Sequence, residues 1–358
     1  MSPFLIIRFI NGVLVTAGVV IVIFFLFNVL PADPARMMLG QRADSASVAI
    51  INRDIGLDQP LIVRFAMYVN DLSPISIHNI KNEQSHFYLD ANKYKHYAKL
   101  LTVASKVVVL KLPYLRRSYQ NKRNVGDILA EKIPDTAVLA LASIIFATFF
   151  GIVLGIVAAL RKDSWLDRTT MAFSIAGVSL PSFFVSILFA WIFGYVLSRY
   201  TGLNMTGGLY SIDPFEGEYL DLKNLILPML VLGIRPLSII VQLTRSSLLD
   251  VLSQDYIRTA KAKGLSAYTI ITRHALRNAL NPVVTAISGW LGSLLAGAVF
   301  IEYIFGWNGI GKLTVTSLEN YDLPVIMGIV LFVSIVFIVL NILADLLYGV
   351  IDPRVRVS

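Results

Sequence analysis

The sequence predicts an all-α integral membrane protein with six transmembrane helices, and three observations support that fold class. Of the 358 residues, 56% are hydrophobic and only 15% are charged, whereas a soluble domain carries about a quarter charged residues. The mean hydropathy of +0.69 is too high for a water-soluble globule. The apolar residues also lie in blocks long enough to cross about 30 Å of hydrocarbon at about 1.5 Å per residue. A soluble enzyme, a secreted disulfide scaffold and a disordered chain are therefore disfavoured.

The first apolar block runs from about Phe9 to Leu30 and is expected to remain as an N-terminal transmembrane helix, residues 1–30. A signal peptide is the alternative, but its apolar core would span only about 7–15 residues and end at small residues. The block is longer than that and ends in Leu30-Pro31. The sequence therefore predicts a retained anchor.

Five further blocks form a predicted transmembrane domain over residues 131–350, with a polar loop at 250–282. The blocks lie near Thr136–Leu160, Thr169–Leu197, Leu225–Thr244, Pro282–Ile304 and Pro324–Tyr348. In the first of them, Gly151-x-x-x-Gly155 permits the close approach of a second helix, although this signal is weak by itself.

The distribution of Lys and Arg predicts that both termini lie in the cytoplasm. Basic residues accumulate on the short cytoplasmic connections of membrane proteins. If the amino terminus is inside, the inside segments hold twelve Lys and Arg, and the two short outside connections hold three. The same bias accounts for the net charge of +8 without any nucleic-acid partner.

With this orientation, residues 31–130 form a long extracytoplasmic segment, within which residues 75–111 are an insertion. The insertion is polar and aromatic before it becomes apolar at Val107-Val108-Val109. Long translocated segments escape the charge rule, so the basic residues of this segment do not contradict the topology. We expect a small accessory subdomain that is either solvated decoration or a partner-docking surface.

The chain offers little for covalent or metal chemistry. It has no cysteine, which excludes disulfides, thiolate catalysis and Cys-ligated metals. Its four histidines are scattered and never spaced i, i+4, so no histidine metal site is predicted; they are His78, His86, His96 and His274. No nucleophile elbow or zinc-protease motif occurs in a plausible context. The sequence therefore predicts a protein that is not an enzyme.

Residues 306–313 nearly satisfy the phosphate-loop pattern, in which a Gly-rich turn and a Lys precede a Ser or Thr that serves magnesium. Leu313 stands at that last position and cannot do so. The stretch also follows a predicted transmembrane helix instead of a strand and faces outside. We interpret it as an outer turn between the fifth and sixth spans.

Arg235 lies inside the fourth predicted span, next to Pro236. An ionisable side chain there costs at least about 2.5 kcal/mol and is by default a functional hypothesis. Pro236 frees a carbonyl one turn back, which Arg235 could bond, or Arg235 could face a polar cavity. Arg235 is thus a translocation-path candidate, with snorkelling or a structural role as the alternative.

The polar loop carries the most informative pattern. A short helix is predicted over 254–263, with Ser253 or Asp255 as its N-cap and Gly264 at a left-handed C-terminal cap. Ser266 can cap a second helix. The apolar stripe of that second helix is Tyr268, Ile271, Ala275 and Ala279. Two short helices joined by a glycine could form a knob that fits a groove of another protein or, equally, an amphipathic pair on anionic lipid.

The loop sequence YIRTAKAKGLSAYTIITRHALRNALNPV resembles the Glu-Ala-Ala-type cytoplasmic loop of ABC importer permeases, in the form that dipeptide, oligopeptide and nickel permeases carry. Arg258-Thr259-Ala260 stands where other permeases have Glu-Ala-Ala, and Gly264 follows. The resemblance covers nearly the whole chain outside 75–111. Its other motifs are LPADPARMMLG (30–40), GLDQPL (56–61), RKDSWLDR (161–168), SLPSFF (179–184), AGAVFIEYIFGWNGIGKL (296–313), DLP (322–324) and DPR (352–354). One departure is Asn308, where the family usually has proline.

This resemblance to the peptide/nickel ABC importer permease family implies a type I ABC importer permease fold in the bacterial inner membrane. It implies transport of di- or oligopeptides, with nickel or glutathione as alternative substrates. The implied partners are a second permease subunit, usually a different one, two cytoplasmic ATPase subunits and an extracytoplasmic substrate-binding protein. ATP and magnesium would bind to the ATPases, so no cofactor is expected on this chain.

The resemblance also implies that loop 255–281 contacts the ATPases. The residues expected at that interface are Arg258, Thr259, Ala260, Ala262, Gly264, Leu265, His274 and Leu276. The alternative of another class is an ion-coupled secondary transporter, which would bring intramembrane acids. No predicted span carries a central Asp or Glu, so the permease interpretation is preferred.

Overall fold

The computed structural model describes residues 3–29, 59–82, 85–90, 93–94, 96–215, 217–295 and 298–351. The motifs LPADPARMMLG and DPR, residues 56–58 of GLDQPL and residues 296–297 of AGAVFIEYIFGWNGIGKL lie outside these ranges.

The described part of the chain is mainly helical, with five short strands. The helices are α1 Pro3–Val29, α2 Leu61–Leu72, α3 Val125–Leu160, α4 Trp165–Ser179, α5 Ser182–Trp191, α6 Ser198–Thr201, α7 Lys223–Leu252, α8 Asp255–Ala262, α9 Ala267–Thr269, α10 Leu276–Ala279, α11 Asn281–Leu295, α12 Val299–Phe305, α13 Ile310–Glu319 and α14 Leu323–Ile351. Two segments are π-helical, Ile192–Val196 and Ile270–Ala275. The strands are β1 Ile75–Asn79, β2 Tyr97–Val103, β3 Lys106–Lys111, β4 Tyr210–Asp213 and β5 Gly217–Leu220.

The chain divides into two compact units. The helical unit comprises residues 1–8, 132–313 and 335–358, and the accessory unit comprises residues 9–131 and 314–334. Helices α1, α3, α13 and α14 each contribute to both units.

Four of the described helices, α1, α3, α7 and α14, are long and apolar enough to cross a membrane. The number rises to six if each of two bent pairs, α4 with α5 and α11 with α12, is one span. The six predicted blocks fall on these elements, and α3 and α7 are longer than their blocks.

The single helix expected over Thr169–Leu197 is instead two helices. Helices α4 and α5 meet at 110°, and Leu180 between them has extended backbone at φ −73° and ψ 137°. Pro181 explains the break, because it lacks an N–H and disfavours helical geometry at the preceding residue. Similarly, the block expected over Pro282–Ile304 is divided into α11 and α12, which lie at 57°.

Glycines bring α3 against α7 in the helical unit. A Cβ built at Gly151 would lie 2.7 Å from Cγ2 of Ile240, and one at Gly155 would lie 2.6 Å from Cβ of Thr244. Side chains of α7 therefore occupy the space that these glycines leave, which is the close approach that their spacing predicts. The main core of this unit lies beyond that contact, around Leu139, Leu232, Phe305 and Trp307.

The accessory unit contains a three-stranded antiparallel sheet in the order β1-β3-β2. A subdomain is expected at this place from the sequence, but its strands are not predicted. Strand β3 includes the run Val107-Val108-Val109, whose β-branched side chains favour a pleated, half-buried surface. Val107 and Val109 are fully buried, whereas Val108 points to the opposite face and pairs with Ile77 of β1.

A buried acid links α2 to the rest of the accessory unit. The Asp71 carboxylate accepts a hydrogen bond from Tyr94 Oη at 2.7 Å and pairs with Lys93 Nζ at 2.7 Å. Lys111 Nζ donates to the carbonyl oxygen of Asp71 at 2.5 Å. Burial lowers the pKa of the Lys111 ammonium to about 8, because the apolar surroundings disfavour its charged form. These contacts attach α2 to β3, the central strand.

Candidate functional site

The first half of the predicted loop is a short helix, α8, that continues closely after α7. Gln254 is its N-cap residue and makes no side-chain capping bond. The prediction of Ser253 or Asp255 as the N-cap residue is therefore wrong. Ser253 still has helical backbone at the end of α7, and its hydroxyl donates to the Asp250 carbonyl at 2.7 Å; Asp255 is already the first residue of α8.

One face of α8 anchors the loop to the helical unit. Ile257 is fully buried and Ala260 is 7% exposed. Both belong to a cluster with Leu248 of α7 and with Ile270 and Ala275 further along the loop. The opposite face carries Arg258 and Thr259, which are exposed. Helix α8 is therefore amphipathic, with its polar side facing away from the unit.

Gly264 ends α8 in the left-handed conformation that the sequence predicts, at φ +77°. The Leu265 N–H donates to the Ala260 carbonyl at 3.3 Å, and the Gly264 N–H donates to the Lys261 carbonyl at 3.0 Å. These two bonds are those of a Schellman motif. No atom lies within 4 Å of the position that a Gly264 Cβ would occupy, so this glycine lies on an open surface.

The second half of the loop begins at the predicted cap, but its buried stripe differs from the prediction. The Ser266 hydroxyl accepts from the Thr269 N–H at 3.3 Å. Tyr268 is 77% exposed, and Ile270 is buried where Ile271 was expected. The π-helical segment explains the shift, because its wider turn moves the following residues around the helix axis. Ala275 and Ala279 are buried as predicted.

Residues 255–279, from the start of α8 to the end of α10, form a surface that we name the knob. Among the predicted interface residues, Arg258, Thr259, Ala262, Gly264 and Leu265 are exposed, and His274 and Leu276 are half-buried. Ala260 instead faces the helical unit. Tyr256 and Asn278 were not predicted as members of this surface, although Asn278 Nδ2 donates to Tyr256 Oη at 2.9 Å and joins α8 to α10.

An ion pair connects α4 to α7. Arg245 donates from Nε to Oδ1 of Asp167 at 2.5 Å and from Nη2 to Oδ2 at 2.7 Å. Asp167, in the first turn of α4, is 3% exposed. In the sequence, Arg245 counts only as an inside charge, since no local pattern reveals a partner so far away in the chain. Such a two-pronged pair fixes both side chains in orientation.

Arg235 reaches the break between α4 and α5. Its Nη2 donates to the Leu180 carbonyl at 3.4 Å, and its side chain is otherwise exposed. The carbonyl that it bonds is thus on another helix, not one turn back along α7 as the neighbouring Pro236 suggested. Leu180 precedes Pro181, so its carbonyl is at the point where the helical bonding pattern stops.

The predicted outer turn, residues 306–313, packs on a buried carboxylate of α12 that was not predicted from the sequence; we call residues 302–313 together the outer turn from here on. Glu302 is fully buried. Its carboxylate accepts from Thr136 Oγ1 at 2.9 Å, from the Gly311 N–H at 2.7 Å and from the Lys312 N–H at 3.3 Å. Thr136 Oγ1 in turn accepts from the Ile310 N–H at 2.8 Å. The acidic side chain was overlooked because it lies near the end of an apolar block.

This arrangement explains why a phosphate-loop-like sequence occurs at this turn. Helix α13 begins at Ile310, and the N–H groups of its first turn point at the Glu302 carboxylate, as such groups point at phosphate in nucleotide sites. A Cβ at Gly309 would overlap Oε2 of Glu302, and one at Gly311 would lie 3.1 Å from the same oxygen. The anion of this turn is therefore a side chain of the same protein, and a phosphate has no room.

Asn308 does not disrupt the turn. Lys132 Nζ donates to Asn308 Oδ1 at 2.8 Å. The neighbouring Trp307 is fully buried, and its Nε1 donates to the Asp135 carbonyl at 2.9 Å. Within the residues that the structure describes, no group of three or more His, Asp and Glu side chains could hold a metal ion.

Two family models match the chain. Residues 151–357 match the "binding-protein-dependent transport system inner membrane component". Residues 1–88 match the N-terminal domain of the membrane component of the same kind of transport system.

Named relatives match over nearly the full length. A glutathione transport system permease protein of Salmonella choleraesuis is 34% identical over 346 residues, which cover 96% of each chain. A dipeptide transport system permease protein of Alkalihalophilus pseudofirmus is 32% identical over 356 residues, again 96% of each. Among solved structures, a chain of the MetNI methionine ABC transporter aligns with a TM-score of 0.52 at 16% identity, over 63% of this chain and 97% of that one. At that identity the likeness concerns the fold alone, a type I ABC importer permease fold.

Proposed function

Because the chain belongs to the family of binding-protein-dependent transport system inner membrane components, we propose that it is the permease subunit of an ABC importer for di- or oligopeptides. The observation that carries this proposal is the full-length match to permeases named for dipeptide and glutathione transport. Both names describe short peptides or peptide-like molecules. Glutathione is therefore the second candidate substrate.

In the proposed assembly, different subunits form the pathway, hydrolyse ATP and deliver the substrate. A second, homologous permease subunit would complete the pathway, two cytoplasmic ATPase subunits would hydrolyse ATP, and an extracytoplasmic binding protein would deliver the substrate. The phosphate-loop-like turn is filled by Glu302, which supports nucleotide binding on the partners and a non-catalytic role for this chain.

The knob is the surface that we propose for ATPase contact. Its polar side, which includes Arg258 and Thr259, is exposed, and its other side is anchored on α7 through Ile257 and Ala260. A push on the knob would therefore reach α7 through packed side chains, and α4 through the ion pair of Arg245 with Asp167. A change from 1:99 to 99:1 between two states requires only about 5.5 kcal/mol of differential binding.

Arg235 is proposed as a residue of the translocation path. It is an exposed cation in a membrane-spanning helix, and it bonds the Leu180 carbonyl at the break in the neighbouring pair. A peptide carboxylate could replace that carbonyl as its partner. Arg235→Gln would then lower peptide uptake while the transporter still assembles, and Arg235→Lys would retain part of the uptake.

An ion-coupled transporter is the candidate of another class, and Glu302 is the observation that could favour it. Its carboxylate, however, accepts three hydrogen bonds from its own turn and from Thr136. A proton-carrying acid needs access to water or substrate, and Glu302 is fully buried. We therefore propose a structural role for it.

Uptake and co-purification test the proposed function together. The chain is expressed with the proposed second permease, ATPase and binding-protein subunits in a strain that lacks peptide uptake, and entry of a labelled dipeptide and of labelled glutathione is measured. We expect ATP-dependent uptake of at least one of them, and retention of an ATPase when the chain is purified. Uptake that follows the proton gradient and persists without ATP would contradict the proposal.

The proposed orientation, with both termini in the cytoplasm, has its own test. Because the chain has no cysteine, single cysteines can be introduced at His86 and at Ser266. An impermeant maleimide should label His86→Cys in intact cells, but Ser266→Cys only after the membrane is opened. The reverse pattern would overturn the orientation and leave the family assignment intact.

A further inference from the structure

Helix α2 packs against the part of α1 that lies within the membrane span. The candidate span of α1 runs over Ile10–Phe27. Phe24, near its end, is fully buried, with its ring centroid 5.1 Å from that of Phe65 and 5.7 Å from that of Tyr68, both on α2. At about 1.5 Å per residue, Phe24 lies only a few ångströms inside the end of that span. A membrane span over Ile10–Phe27 would therefore place α2 at the level of the hydrocarbon edge.

The outward face of α2 is apolar. Ile62 is 73% exposed and Val69 is 40% exposed, and Ala66 between them is exposed as well. These positions follow a spacing of four and three, so they share one face of the helix. The buried side of α2 carries its acid, Asp71. A helix in contact with water would present the opposite arrangement.

Strand β1 continues this apolar surface. Ile75 and Ile77 are 60% and 55% exposed, and together with α2 they line a groove of about 660 Å³. Phe65 lines the same groove. Its ring centroid lies 6.0 Å from that of Phe25, an exposed residue of α1. The groove is thus continuous with the exposed apolar side of α1.

Three backbone groups of β1 at the groove are bonded by side chains of the protein. The side chain of Asn70 bonds Ile77 twice, by Nδ2 to the carbonyl at 3.2 Å and by Oδ1 from the N–H at 3.0 Å. The Ser73 hydroxyl donates to the Ile75 carbonyl at 2.5 Å. Backbone groups that face hydrocarbon must be satisfied inside the protein, because an unsatisfied group costs several kcal/mol there. The same bonds close this strand edge to an added strand, so an extended peptide cannot pair with it.

We infer that the groove between α2 and β1 lies in the membrane leaflet at the carboxyl-terminal end of α1 and holds a phospholipid acyl chain. Val69, Ile75 and Ile77 contact the chain, and Lys106 at the groove lining supplies a cation for the headgroup phosphate. The groove face of the accessory segment is then in the membrane, which replaces both alternatives considered from the sequence for this face, solvated decoration and a protein-docking surface. The inference depends on α1 as a span and holds in either orientation of the protein.

Spin labels on single cysteines test this inference in the assembled transporter, reconstituted into phospholipid nanodiscs. Ile75→Cys and Ile77→Cys report on the groove, which both side chains line. Val22→Cys, on the exposed side of α1 within its span, is the lipid reference, and Lys81→Cys, which is exposed and polar, is the water reference. Collision rates are measured with oxygen, which partitions into hydrocarbon, and with a water-soluble nickel chelate.

We expect both groove labels to match Val22→Cys, with frequent collisions with oxygen and rare collisions with nickel, while Lys81→Cys shows the reverse. Nickel access at the groove equal to that of Lys81→Cys would overturn the inference in favour of an aqueous groove. Low access to both reagents would also overturn it, because a protein partner would then cover the site. Peptide uptake by the label-free variants, measured in parallel, separates a failure of this inference from a failure of the proposed function.

Discussion

The knob and the outer turn both depend on glycine, but for opposite reasons. Gly264 in the knob has φ +77° and no atom within 4 Å of a Cβ position, so it is needed for backbone conformation alone. Gly311 in the outer turn has no positive φ, but a Cβ there would lie 2.7 Å from Cα of Val299. It is needed for space alone. The knob is thus open around its glycine, whereas the outer turn is closed.

The polar groups of the knob are exposed, whereas those of the outer turn are bonded inside the protein. The outer turn directs its N–H groups inward onto Glu302, whereas the knob leaves Arg258, Lys261 and Lys263 exposed. A turn whose hydrogen bonds are all internal requires no partner. The knob, which is anchored on one side and has an exposed polar surface on the other, is suited to bind a partner protein. The comparison predicts that changes in the outer turn reduce stability, and that changes in the knob reduce coupling.

The largest effect is expected for Glu302→Ala. The substitution leaves Thr136 Oγ1 and the N–H groups of Gly311 and Lys312 without their acceptor in a buried site. Each such loss costs about 1–3 kcal/mol, so little folded protein should remain. Detergent-solubilised yield and melting temperature measure this. Glu218→Ala, at an exposed position of β5, is the control, and equal stability of the two variants would contradict the internal role.

Gly311→Ala should come next. The added methyl group meets the backbone at Val299, which cannot move aside as a side chain would, and overpacking of this kind costs about 1–3 kcal/mol. The melting temperature should fall, whereas it should stay the same for Gly126→Ala, where nothing lies within 4 Å. If Gly311→Ala is as stable as its control, the turn is looser than the structure indicates.

A smaller stability effect, with a large effect on transport, is expected at Gly264. A β-branched residue at positive φ costs at least about 1–2 kcal/mol, so Gly264→Val should distort the knob and lose both uptake and the ATPase. Gly264→Asn tolerates this conformation better and adds a side chain on the open surface. We expect it to preserve stability but still lower uptake per ATP hydrolysed. Normal coupling in both variants would exclude the knob as the contact.

The smallest effects are expected for the surface lysines. Lys261→Gln and Lys263→Gln should preserve ATPase retention and uptake, because both side chains are exposed. The alternative interpretation, a knob lying on anionic lipid, predicts the opposite order, with severe lysine variants and a mild Gly264→Asn. Uptake in membrane vesicles, measured for these variants side by side, decides between the two interpretations.

Much of the fold could be predicted because its signals are local. Apolar blocks predict membrane spans wherever they are long enough. Gly264 and Ser266 predict helix ends because each allows the backbone N–H or carbonyl groups of its own turn to be hydrogen-bonded locally. The break at Pro181 was visible in the sequence, but the uninterrupted apolar composition around it suggested one span. The π-helical segment gave no such local signal, and it moved Ile271 out of the buried stripe.

The missed parts of the candidate site depend on distant partners. Glu302 is held by Thr136, and Asp167 by Arg245, and no pattern of neighbouring residues encodes either pairing. The accessory sheet was missed because its strands are short and its insertion mixes polar and aromatic residues. In each case the decisive contact joins segments that only the folded chain brings together.

The glycines of α3 also limit how the helical unit can deform. Ile240 and Thr244 of α7 sit in the notches at Gly151 and Gly155, and on α4 a Cβ at Gly177 would overlap Oγ of Ser238. Helices that contact through several such glycines cannot slide past one another by small steps, since all of the side chains packed against the glycines would have to move out together. Movement that enters through the knob should therefore turn α3, α4 and α7 as one rigid block, and the 110° corner before α5 becomes the hinge that absorbs it.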